Sequence, residues 1–153
     1  MGIEDRLRDL GIALPEAPRP VGSYIPCVET GNLLFLSGIL PLREGRLIRT
    51  GRVGETVSIQ EAQEDARQVV INCLSIIRSH LGSLDRIKRC IKLNGYVASS
   101  NDFIEQPKVL NGASNLLFEI FGEAGRHARS AIGVAVLPLN APVEIDFIFE
   151  IAF

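Results

Sequence analysis

The chain has 153 residues, a length that suits one domain, with a formal net charge of −2 and no Lys/Arg block, so it lacks the electrostatic footprint of a nucleic-acid binder. Three cysteines, at positions 27, 73 and 90, and two histidines give no CxxC pair and no metal-ligand spacing; reduced, buried thiols and no metal are expected. No apolar run reaches membrane-spanning length and charges crowd positions 4–9, which argues against a signal peptide and for a cytoplasmic protein.

Ile3 to Leu10 reads as a short amphipathic helix stopped by Gly11, and Pro15, Pro18 and Pro20 mark an extended connector after it. The chain thus divides into an N-terminal helix and connector (1–20) and a core (21–153). Tyr24–Glu29 and Asn32–Ser37 flank Thr30-Gly31 as a hairpin; Gly38 breaks its second strand, and residues 43–54 form a loop with a short strand at Leu47-Ile48. Ser58 and Glu61 form a capping box for a helix whose apolar stripe runs from Ala62 to Leu81 and ends at Gly82. Ile87 to Ser99 reads as a long strand with a bulge or bend at Gly95, its first residues alternating between a solvated and an apolar face. Pro107 opens a second helix, with Val109, Leu110, Ala113, Leu116, Leu117, Ile120 and Phe121 as its stripe, closed by Gly122. Two terminal strands come last, around a turn at 137–142. The order ββ–helix–β–helix–ββ is an α+β design: a mixed sheet with two helices packed on one face. The other face needs a partner, and a mean hydropathy of +0.21 fits apolar surface buried between subunits.

The last quarter holds the most informative pattern. In the first terminal strand Arg129, Ala131, Gly133 and Ala135 share one face; Ser130, Ile132, Val134 and Val136 share the other. Every strand-face neighbour of Arg129 is small, leaving room for a second backbone, or for a carboxylate gripped by the guanidinium through two parallel bonds. Glu144 opens the last strand. Two readings stay open: a hairpin with an edge Arg129–Glu144 ion pair, or an anion clamp beside a carboxylate base.

The residues resemble the Rid family of reactive intermediate deaminases, also called RidA/YjgF and often labelled endoribonuclease L-PSP. The resemblance runs from Pro20 to the C-terminus. It rests most on Ala128-Arg129-Ser130, Leu137-Pro138 and Val143-Glu144-Ile145, and also on Gly22-Ser23-Tyr24, Phe35-Leu36-Ser37-Gly38, residues 99–103 and residues 115–119. The longer N-terminus and the run 111–115 suggest a subgroup. The resemblance implies a chorismate-mutase-like fold in a barrel-like homotrimer with inter-subunit clefts. It implies cofactor-free hydrolysis of 2-imino acids of the 2-aminoacrylate type to a 2-keto acid and ammonia, as by a 2-iminobutanoate/2-iminopropanoate deaminase.

It further implies Arg129, Glu144 and Tyr24 as catalytic residues, with Arg129 clamping the substrate carboxylate, Glu144 activating water and Tyr24 offering a phenol. Ser37, Gly38, Asn115 and the backbone carbonyl of Ala131 line the substrate site; Asn111 is the alternative to Asn115. Ser23 and Ile39 depart from the family's usual Gly-Pro-Tyr and Ser-Gly-Gln, which leaves room for a larger or more apolar imine. His127 reads as a loop residue, Cys27 and Cys90 as packing. Competing functions are a 2-keto acid-binding trimer without turnover, an endoribonuclease, against which the acidic pI of 5.7 and the lack of a His-based acid/base pair argue, and a chaperone-like trimer, which leaves no readable mark.

Overall fold

The computed structural model describes residues 2–20 and 22–153; Met1 and the boundary residue Val21 lie outside it. Helix α1 (Ile3–Asp9) carries acids in its first turn and arginines in its last, matching the helix dipole, and buries Leu7. Its backbone start is tied to the body where Ile3 N–H donates to Asp85 Oδ1 at 3.0 Å, and Arg6 Nε donates to the Glu119 carbonyl at 3.0 Å. Strands β1 (Cys27–Thr30) and β2 (Leu33–Leu36) form the expected hairpin, closed through Gly31 at φ +57°. A second, minimal hairpin comes next, β3 (Leu42–Arg43) and β4 (Arg46–Leu47).

Helix α2 (Ile59–Leu81) begins at the predicted box: Ser58 Oγ accepts from Glu61 N–H at 3.1 Å and Glu61 Oε1 accepts from Ser58 N–H at 3.0 Å. It stops at Gly82, in the left-handed region at φ +81°. One side of α2 packs on the sheet. The other holds the 40–43 loop, where Asn72 Nδ2 donates to the carbonyls of Leu40 and Leu42, so its buried amide is bonded.

Strand β5 (Ile87–Ala98), helix α3 (Gln106–Phe121), strand β6 (Ala128–Val134) and strand β7 (Val143–Ile151) complete the five-stranded mixed sheet, in the order β1-β2-β7-β5-β6. The terminal strands therefore do not form a hairpin. β5 lies between them, parallel to β6 and antiparallel to β7. β5–α3–β6 is a parallel crossover, and the turn from β6 steps past the end of β5, where Gly51 N–H donates to Asn140 O and Ala98 N–H to Pro142 O. Leu139 and Asn140 take positive φ to make that step.

Two other expectations on β5 are corrected. The register shifts fall between Ile87 and Arg89 and between Cys90 and Lys92, not at Gly95. They break the early alternation, so Ile87, Cys90 and Leu93 are all buried. Gly95 instead permits close packing: a Cβ there would sit 2.2 Å from Leu110 Cδ1. Gly112 does the same between helices, where a Cβ would lie 2.2 Å from the Gln63 carbonyl oxygen. These two contacts fix α3 against α2 and the sheet.

The core lies between sheet and helices. Val143, Ile145, Phe147, Phe149 and Ile151 alternate into it from the central strand, against the stripes of α2 and α3. All three cysteines are buried and unpaired, and burial pushes the Cys90 thiol up to about 12, so they pack rather than react. The opposite sheet face is left uncovered among the described residues; it exposes Val28, Phe35 and Ile132 beside Asn94, Tyr96, Glu144 and Asp146.

Candidate functional site

The expected site residues fall into two groups. The first sits where edge strand β6 meets α3. Arg129 pairs opposite Leu93, so it points to the helix side of the sheet, as do Ala131 and Gly133. The small face does not await another backbone: a Cβ on Gly133 would be 2.6 Å from Gln106 Nε2 and 2.9 Å from Ser99 Oγ, side chains of the same chain. Ala131 is half-buried opposite Gly95, two residues along from Arg129.

Arg129 Nη1 donates to Asn111 Oδ1 at 2.9 Å and to Ser114 Oγ at 3.2 Å. Both partners are neutral, and no carboxylate among the described residues pairs with Arg129, so the edge ion pair with Glu144 is not formed. The Nε and Nη2 edge of the guanidinium carries no bond to a described residue, the geometry of a fork for an incoming carboxylate. Asn111, the alternative in the sequence, is the amide that touches Arg129; Asn115 lies exposed one turn further along α3.

His127 belongs to this group too. Its Nδ1 lies 2.7 Å from the Gly125 carbonyl and its Nε2 2.9 Å from Ser114 Oγ. Burial lowers its pKa, with the Arg129 charge in the same direction, against the Gly125 bond. Sequence reasoning missed this network. Its signal was the i, i+3 pair of Asn111 and Ser114, which puts both on one helix side only once α3 is known to cover Arg129.

The second group borders a cleft of about 560 Å³ on the β1–β2 side: Tyr24, Ser37, Gly38 and Glu144, with Pro18, Arg19 and Pro20 of the connector, Ile39 and Leu139. After β2 the chain bends at Ser37-Gly38 and returns to the sheet, where Ile39 N–H donates to Ile145 O at 2.8 Å and the Ile39 carbonyl accepts from Ile145 N–H at 3.1 Å. That bend lays Gly38 over the Glu144 carboxylate, so closely that a Cβ at 38 would be 2.3 Å from Oε2. Ser37 Oγ donates to Ile25 O at 2.7 Å, keeping the hydroxyl as an acceptor toward the cleft. Tyr24 is half-exposed, and Ile39, where the family usually has a polar residue, is buried at the cleft border.

Glu144 stands opposite Tyr96 on the uncovered face of the sheet. Partial burial, and then the Asp146 charge two residues on, raise its pKa above the ordinary carboxylate value. Asp146 is already occupied, accepting from Asn94 Nδ2 at 2.8 Å and from the Tyr96 hydroxyl at 3.0 Å. Glu144 is thus a carboxylate suited to take a proton and give it back. Arg129 and Glu144 do not meet within the chain. They are on opposite sheet faces, two strands and three residues apart, roughly 14 Å by standard strand spacing and rise. No cluster of three or more His, Cys, Asp or Glu among the described residues is arranged to hold a metal ion, and no helix there is long and apolar enough to cross a membrane.

Residues 4–151 match the model of the family described as YjgF/chorismate mutase-like, putative endoribonuclease. The chain is 44% identical over 146 residues to Protein TCP17 of Trypanosoma cruzi, covering 95% of this chain and 91% of that protein. It is 31% identical over 140 residues to a 2-iminobutanoate/2-iminopropanoate deaminase of Dermatophagoides farinae, covering 92% and 94%. Its fold superposes with a TM-score of 0.91 on the crystal structure of Atu1372, a protein with unknown function from Agrobacterium tumefaciens, at 49% identity and 98% and 92% coverage.

Proposed function

The chain belongs to the YjgF/chorismate-mutase-like family, and we propose that it is a cofactor-free deaminase of 2-imino acids whose sites form between subunits of a homotrimer. The observation that carries this is the state of Arg129: one guanidinium nitrogen held by two neutral acceptors, the remaining edge without a bond to a described residue, and no carboxylate paired with it among the described residues. That is a preformed clamp for the carboxylate that every 2-imino acid bears beside its electrophilic carbon. The deaminase from Dermatophagoides supports the reaction class.

A neighbouring subunit supplies the second half. Its uncovered sheet face, with exposed Ile132 and Phe35, packs against a partner, and its Glu144 cleft closes over the Arg129 edge. An enamine such as 2-aminoacrylate first takes a proton from solvent water at its terminal carbon, the C=C pair forming the new C–H bond as the nitrogen lone pair closes C=N, and becomes the iminium. Water held by Glu144 then adds to the imine carbon: the new C–O bond forms as the C=N electron pair moves to nitrogen and the water proton passes to Glu144. Glu144 returns that proton to the nitrogen; the C–N electron pair then leaves with ammonia as an oxygen lone pair closes the C=O bond of the 2-keto acid, and the hydroxyl proton passes to Glu144, which gives it to the departing ammonia as ammonium. The Tyr24 phenol, the Ser37 hydroxyl and the backbone at Gly38 and Ala131 border the water and substrate, with Asn115 at the exposed rim.

The test is a coupled assay that generates 2-aminoacrylate in place, with wild type and Arg129→Ala. Faster pyruvate and ammonium formation by wild type alone supports the deaminase. Wild-type binding of 2-oxobutanoate without acceleration of any imine would instead favour a keto-acid-binding protein, since the Arg129 half by itself suffices for binding. RNA cleavage that falls steeply with salt would favour the endoribonuclease reading.

A further inference from the structure

Arg129 is aimed by a chain of bonds that continues behind it. A carbonyl oxygen can only accept, so the 2.7 Å contact to Gly125 O places a proton on His127 Nδ1. In the neutral ring Nε2 is then an acceptor, and the group it meets among the described residues is Ser114 Oγ, 2.9 Å away. The Ser114 hydroxyl proton is drawn to Nε2, which turns an oxygen lone pair to Arg129 Nη1. We infer that His127, acting through Ser114, is a positioning residue that fixes the orientation of the Arg129 guanidinium for carboxylate binding. This rests on the anion-clamp reading of Arg129.

The turn that carries His127 is braced on α3 at two points. A Cβ on Gly125 would be 2.2 Å from the Leu117 carbonyl oxygen, so the turn lies directly on α3. Arg126 stacks over the Phe118 ring, 4.5 Å from its centroid, and bonds Glu123 at 3.0 Å. The ring is thereby held at one distance from Ser114. Without His127, a serine inside a helix turns its hydroxyl back to the carbonyl four residues earlier, here Leu110, and its lone pair leaves Nη1. Asn111 alone then holds the guanidinium, which can swing about its long stem. Both ring nitrogens are engaged, so His127 does no proton transfer to substrate.

The experiment uses the full chain with Ser114→Ala, His127→Phe, the double variant and Ser114→Thr. Two quantities are measured: affinity for 2-oxobutanoate and, without ligand, the rotation rate of the Arg129 guanidinium by 15N NMR. The expected result is about ten-fold weaker binding in each single variant, no further loss in the double, near wild-type affinity in Ser114→Thr, and faster guanidinium rotation wherever the relay is cut. Unchanged rotation in Ser114→Ala and His127→Phe overturns the relay, as does an additive double variant. A wild type that binds no 2-oxo acid, with rotation still responding to both variants, removes the anion-clamp reading and leaves the relay standing. If His127→Phe does not fold, the wild-type imidazole decides: a 15N spectrum showing the proton on Nε2 overturns the relay, and one showing it on Nδ1 upholds it.

Discussion

The sharpest consequence of the split site is complementation between two inactive subunits. Arg129 shares its register position with Leu93 and, across β5, with Phe147, whereas Glu144 lies three residues earlier in β7. The separation of roughly 14 Å, on opposite faces, exceeds what any imino acid of two or three carbons can bridge. If each site takes Arg129 from one subunit and Glu144 from its neighbour, Arg129→Ala and Glu144→Gln assemblies are both silent. Unfolding the two together and refolding them at equal concentrations scrambles the subunits. A given site then has an even chance of an intact arginine and an even chance of an intact glutamate, so about one quarter of sites are wild type whatever the ring size. The assay is pyruvate and ammonium release from 2-aminoacrylate generated in place, with unmixed variants refolded alone as controls. Recovery near one quarter of wild-type activity is expected. Mixed assemblies that stay silent, while remaining folded and oligomeric, would refute a site shared between Arg129 and Glu144 of different subunits.

Gly38→Ala drives a methyl into the Glu144 carboxylate, 2.3 Å from Oε2; turnover is expected to fall at least about ten-fold while 2-oxobutanoate affinity holds, as steady-state kinetics and calorimetry can check. Because burial and Asp146 raise the pKa of Glu144, and the base must be ionised, kcat/KM should rise with pH through a pKa above the ordinary 4.5, and Asp146→Asn, which removes the second charge, should move that limb to lower pH. Gly112→Ala pushes α3 off the Gln63 carbonyl; a loss of about 1–3 kcal/mol is expected, read as a lower Tm, with weaker keto-acid binding as Asn111 and Ser114 move. Asp65 is fully buried, with one Arg49 nitrogen at 3.0 Å, and burial pushes its carboxyl from 3.8 up to about 6. A raised carboxyl pKa favours the folded state below 3.8, and that contribution fades as pH rises through about 6. Asp65→Asn should therefore gain stability relative to wild type between pH 4 and 7, by on the order of 3 kcal/mol at most, in denaturant titrations at each pH.

The helices were legible because their signals are local. Ser58, Glu61 and Gly82 terminate α2 through bonds between near neighbours, and the stripe between them needs only the 3.6-residue period. Strand pairing is not local. A turn at 137–142 with two prolines reads as the tip of a hairpin, yet the chain uses it to cross the end of β5. The deciding element is β7, whose five inward residues are all buried and so belong at the centre of the sheet, leaving β6 the edge position that a crossover through α3 reaches. Gly95 was misread for a similar reason. Its lack of a side chain answers to Leu110 on α3, a residue fifteen positions away, rather than to the bend of its own strand.

The candidate site residues were legible as types, but not by the side each occupies. Alternation correctly grouped Arg129 with Ala131 and Gly133, and Glu144 with Asp146; the unread quantity was the relative parity of the two strands across β5. Slipping β7 by one residue would bring Glu144 to the Arg129 side. It would also turn Ile145, Phe147 and Phe149 from the core into solvent, at about 1.5–3 kcal/mol for each side chain. No single ion pair on a sheet face repays that. Core burial therefore fixes the arginine on the helix side and the glutamate on the open side. A second copy of the chain, laid against the uncovered sheet face, can bring the two together without disturbing a core residue in either subunit, and this is the physical ground for placing the proposed chemistry between subunits.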